Sequence, residues 1–205
     1  MKMMFFGLLA TLSVIVYSCN DHSSTAHQDD HTAAAAPEKP AEDAEPVKVV
    51  KASFTSVNAG VAAYIKKLAE DYLLVKDALI NGKASEAGDA SKKMFESIKG
   101  FDKSLLTAEQ KKIYDQNEED LREHAEHISK STNDIAHQRE HFSMMSEDMY
   151  SLVKAFGAGK TLYHDHCPMA NENKGAMWLS ETKEIKNPYF GEKMMTCGSV
   201  EEELQ

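Results

Sequence analysis

Tryptophan occurs once in the 205 residues, cysteine three times and proline five times. Three cysteines are too few for a disulfide framework. None forms Cys-x-x-Cys, which argues against a dithiol redox enzyme, and Cys-x-x-Cys-His for covalent haem is also missing. No glycine-rich phosphate loop is present. Basic residues are outnumbered, 23 Lys plus Arg against 33 Asp plus Glu, for a formal net charge of -10. Binding to nucleic-acid phosphates needs clustered Lys and Arg, so a nucleic-acid partner is not expected. An acidic surface does not repel cations. Against these shortages stand 11 methionines and 9 histidines, whose placement has to decide whether they mean more than core and surface.

The apolar run Met3 to Val16 follows Lys2 and ends at Tyr17-Ser18-Cys19. It is shorter than the roughly 20 residues a membrane span needs and has the layout of an export signal. A small residue directly before Cys, at the end of such a run, resembles the bacterial lipobox. The resemblance implies cleavage before Cys19, lipidation of its thiol and anchoring of the chain to a membrane. Residues 1–18 are therefore expected to be a lipoprotein signal peptide. Residues 19–54 are expected to be the lipidated Cys and a disordered tether, because Ala, Pro and charge dominate and no hydrophobic period is present. His22, His27 and His31 fall in this stretch and read as part of a solvated tail.

Residues 55–159 are periodic. Val61, Tyr64, Ile65, Leu68, Tyr72, Val75 and Leu79 mark one helical face, closed by Asn81-Gly82. Ala87, Ser91, Met94, Ile98 and Phe101 mark a second, weaker stripe. Thr107 and Gln110 form a capping-box pattern ahead of Ile113, Leu121, His124 or Ala125, and Ile128. Ser131-Thr132-Asn133-Asp134 offers a break before Ile135, Gln138, Phe142, Met145, Met149, Leu152 and Phe156. The alternative is one long helix across it. The expected fold is all-α, an up-and-down bundle of about four helices. A loop-rich tail, residues 160–205, would complete the same domain, since Gly, Pro and Asn punctuate it.

Two groups of residues carry candidate chemistry. His137 and His141 are four apart and share a helix face. A hairpin at residues 131–134 would bring His127 back toward them. In the tail, Cys167 pairs with Met169, and Met194 with Cys197, with His166 and Met195 adjacent. Thiolate and thioether are soft donors that select copper(I), and imidazole widens the choice to copper(II) or zinc. The competing reading is a Cys167–Cys197 disulfide, which spacing does not separate from a metal site. Lipidation of Cys19 leaves just these two thiols, and an exported protein meets oxidising conditions. Cys167 beside His164 and His166 has the elements of a nucleophile and base, but no third group or oxyanion loop is legible, and no enzyme is expected.

The motif His166-Cys167-Pro168-Met169-Ala170, then Lys174-Gly175-Ala176, Trp178-Leu179-Ser180, and Asn187-Pro188-Tyr189-Phe190-Gly191 through Met194 to Cys197-Gly198, resembles a bacterial envelope domain of unknown function. Gln138-Arg139-Glu140-His141-Phe142 is similar as well. That domain occurs in stand-alone lipoproteins and fused to periplasmic adaptors of CusB-type heavy-metal efflux systems. The resemblance implies a helical domain handling copper or a related cation, with Cys167, Met169, Met194, Cys197 and His141 at the matching positions. His127 and His137 fit the same pattern. The adaptor's hairpin and barrel regions are missing here, which favours a separate lipoprotein over a pump subunit. The expected function is a copper-binding lipoprotein of a Gram-negative-type envelope, in the periplasm or at the cell surface. It would buffer copper(I) or pass it to an efflux adaptor or pump. The alternative is a disulfide-stapled module, without metal, that docks on such an adaptor.

Overall fold

The computed structural model describes residues 46–205. The expected signal peptide, Cys19, His22, His27 and His31 lie outside the described residues. Four long helices follow one another: α1 (Ala59–Ile80), α2 (Ala84–Lys99), α3 (Ala108–Lys130) and α4 (Ile135–Phe156). Their apolar stripes meet in one core. Val61, Ile65, Leu68, Tyr72, Met94, Leu121, Ile128, Phe142, Met145 and Met149 are all fully buried. Burying each such side chain contributes about 1.5–3 kcal/mol before entropy is counted. Met145 and Met149 are thus core filler, the ordinary use of methionine on an apolar stripe.

The helix ends are set by local chemistry. The capping box forms, with Thr107 accepting from the Gln110 N–H and Gln110 reaching back to the Thr107 N–H. Asp134 accepts from the His137 N–H at 3.0 Å, so the chain does break at residues 131–134 and turn back. Fully buried Gln138 locks the turn by donating from Nε2 to the carbonyls of Ile128 and Ala84.

The fold is not all-α. A four-stranded mixed sheet, in the order β1-β4-β2-β3, packs on the bundle. Its strands are β1 (Lys48–Val50), β2 (Leu162–Cys167), β3 (Ala176–Ser180) and β4 (Ser199–Leu204). β1 runs parallel to β4, and β2 lies antiparallel to both β4 and β3. The expected loop-rich tail therefore supplies three of the four strands between its loops, and three residues assigned to the tether form the edge strand. The physical reason is long-range pairing. Glu202 is buried in β4, with Lys48 at 2.5 Å from the far end of the described chain and the Tyr150 hydroxyl at 2.6 Å. The glycines and asparagines mark the connections. Asn171, Glu172 and Asn173 take left-handed φ values of 49°, 58° and 63° in the turn between β2 and β3.

Sheet and bundle are tied by Tyr72. Its hydroxyl pairs with Ser146 Oγ of α4 at 2.8 Å and accepts the Leu179 N–H of β3 at 3.0 Å. Trp178 is fully buried against the start of β4. Gly198 is required there: its φ is +142°, and a Cβ would come within 2.7 Å of the Trp178 ring. Among the described residues no helix is long and apolar enough to cross a membrane.

Candidate metal centre

The α3–α4 hairpin assembles four imidazoles. His124 and His127 stand one turn apart near the end of α3. His137 and His141 stand one turn apart near the start of α4. Because the helices are antiparallel and closely joined, the two pairs face each other across the groove. One ring nitrogen from each of His127, His137 and His141 lies within 4.8 Å of the others. The rings of His127 and His141 stack at 4.2 Å, and His137 meets His141 edge-on at 4.5 Å. His127 is exposed and the other two are half-buried, so the group opens to solvent on one side.

The electrostatics favour a neutral ring at His141. Burial, followed by the neighbouring His127, His137 and His124, pushes His141 down to about 4. Burial also lowers His124, against the pull of Asp120, Glu123 and Glu147. Metal ligation by histidine needs the neutral imidazole, so the site does not first have to shed a proton from His141 at neutral pH. Glu140 stands 3.5 Å from His137 Nδ1, and Glu123 stands 3.8 Å from His127 Nε2. Such carboxylates orient ligating rings in metal sites. Three imidazoles leave further coordination positions for water or another donor, which suits copper or zinc.

The tail's two cysteines are paired with each other. Cys167 and Cys197 are joined as a disulfide that ties the end of β2 to the approach of β4, with their Cα atoms 5.7 Å apart. A disulfide has no thiolate to offer, so the structure adopts the staple reading of this pair rather than the ligand reading. Met169 is exposed and lines a cavity of about 310 Å³ with Arg139, Glu140, Tyr189 and Phe190. That cavity lies on a different flank of α4 from His137 and His141. Met194 and Met195 are half-buried in the loop before β4. Their main chains hold that loop, Met194 O accepting from Cys197 N and Met195 O from Asn187 N. His166 lies beside Glu201, 3.4 Å away, and over Gly175.

Of the expected ligands, then, the structure brings together His127, His137 and His141. It adds His124, which sequence reasoning treated as part of the apolar stripe. The signal was present: His124 precedes His127 by three residues, the spacing that puts two side chains on one helix face.

A family model described as a protein of unknown function (DUF3347) matches residues 68–161. The matched span runs from within α1 to just past α4 and includes all four histidines. It stops before β2, so the match rests on the bundle and not on the tail motif. No curated protein and no solved structure matches the chain.

Proposed function

We propose that this protein binds a late first-row transition metal, copper before zinc, at His127, His137 and His141. The observation that carries the reading is the convergence of three ring nitrogens within 4.8 Å at an open edge of the bundle. Copper is the first choice because imidazole suits it and it heads the affinity order of the divalent series. Copper(I) was expected on the strength of sulfur donors. With both tail cysteines bridged, the imidazoles carry the site, and they accept copper in either oxidation state. The net charge of -10 favours approach of a cation.

The setting of this activity is the cell envelope, with the domain held to a membrane by a lipid on Cys19. The export-type leader and the small residue before Cys19 support this. A Cys167–Cys197 bridge is also at home in an oxidising compartment. There the protein buffers the metal or hands it to a heavy-metal efflux adaptor. A half-exposed site of three rings suits such transfer, since an acceptor can add its own ligand before the donor lets go.

A second reading keeps the disulfide and drops the metal: a stapled module that docks on an adaptor. One experiment separates the two. Copper and zinc are titrated into the purified chain against a chromogenic competitor, alongside His137→Ala/His141→Ala and Cys167→Ala/Cys197→Ala. Loss of uptake in the histidine pair alone supports the metal centre. No uptake by the wild type leaves the docking module.

A further inference from the structure

His124 is not one of the three converging rings, yet it touches one of them. Its Nδ1 is 3.1 Å from Nδ1 of His141, a hydrogen-bond distance, with the ring centroids 5.3 Å apart. Two neutral imidazoles make that bond in one of two ways. If His124 donates, His141 Nδ1 is the acceptor and the proton of His141 sits on Nε2, where it blocks a metal. If His141 donates, its Nε2 keeps a lone pair. The choice of donor therefore decides whether His141 is a ligand.

We propose that His124 is the positioning residue of the metal centre: it accepts the Nδ1–H of His141 and so presents the Nε2 lone pair of His141 to the metal shared with His127 and His137. The inference rests on the metal reading above and adds how that site is organised. His124 is fit to be the acceptor. It is half-buried on α3 and lies outside the three converging rings, so its own lone pair is not needed for the metal. Around it stand Asp120, Glu123 and His127 from its own helix and Glu147 and His141 from α4. Ligating histidines characteristically give their other N–H to an acceptor in this way, and removal of that acceptor typically weakens metal binding 10- to 100-fold.

The test uses the full chain as wild type, His124→Gln, whose amide oxygen can still accept, and His124→Phe, which keeps a ring but accepts nothing. Two-bond ¹⁵N–¹H correlation spectra read the tautomer of His141 in metal-free protein, and competitive titration reads zinc affinity. The expected result is an Nδ1–H tautomer of His141 in the wild type. His124→Phe should lose about 10- to 100-fold in zinc affinity with its unfolding midpoint little changed, and His124→Gln should recover most of that loss. An Nε2–H tautomer in the wild type overturns the proposal, as does wild-type zinc affinity in His124→Phe. The wild-type tautomer decides the matter even where His124→Phe fails to fold. A wild type that takes up no zinc or copper removes the metal reading itself, and the spectrum still reports which ring donates.

Discussion

Breaking the Cys167–Cys197 bridge should cost stability and leave metal uptake untouched. The two residues are 30 apart in sequence, and the ladder already holds their strands together, with His166 opposite Ser199. Reduction therefore leaves the native contacts in place, and the effect falls on the unfolded chain. Releasing a closed loop of about 30 residues returns about 3.5 kcal/mol of chain entropy to it at 25 °C. A domain of this size is stable by about 5–15 kcal/mol, so the loss is a large share. With a urea slope of about 2 kcal/mol per molar, the unfolding midpoint should fall by about 1.5–2 M. The assay is urea unfolding, followed by circular dichroism, of the oxidised wild type, the reduced wild type and Cys167→Ala/Cys197→Ala. The reduced protein isolates loop closure, and the double variant adds the small cavity left at fully buried Cys167. Equal midpoints for oxidised and reduced protein would refute the staple. Loss of copper binding on reduction would refute its separation from the histidine centre.

Three further outcomes follow from the packing. Asp165 is fully buried in β2, and neither carboxylate oxygen has a hydrogen bond of ordinary geometry. Burial pushes it up to about 8, with Lys76 and Trp178 pulling only partly the other way. The folded protein then keeps a proton that the unfolded chain releases near pH 3.8, so this contribution to stability is present in acid and drains away as pH rises toward about 8. Asp165→Asn should be close to neutral near pH 4 and stabilising at pH 8.5, with a ceiling of about 6 kcal/mol. Urea midpoints at both pH values check this, and equal effects at the two would contradict it. Tyr72→Phe strands the buried Leu179 N–H and should cost about 1–3 kcal/mol, measured the same way. Gly198→Ala should cost at least about 2 kcal/mol, from positive-φ strain together with a clash on the Trp178 ring, read as a lowered melting temperature.

The helices were legible because each buries a broad stripe at a 3.6-residue period, and because residues 107–110 and 131–134 carry capping chemistry that local sequence displays. The sheet was not. Glu201-Glu202-Glu203 reads as a solvated tail until Lys48, 154 residues away, and Tyr150 turn Glu202 inward. β2 mixes His, Asp and Cys, so its strand pattern is hidden by residues that look functional. Three of the four groove histidines were legible from helical spacing plus the hairpin. His124 was absorbed into the stripe because Ala125 beside it is the residue that actually enters the core. The cysteines could be assigned only by tertiary structure, since a bridge and a soft-metal pair make the same demand on spacing.

On the proposed reading, imidazoles of the α3–α4 hairpin, and not sulfurs of the sheet, hold the metal. Its most direct measurement is copper K-edge absorption on the loaded chain. The expected result is a first coordination shell of nitrogen and oxygen with the outer-ring scattering of histidine, abolished in His137→Ala/His141→Ala. A shell dominated by sulfur at about 2.3 Å, or histidine scattering that survives the double variant, would contradict it.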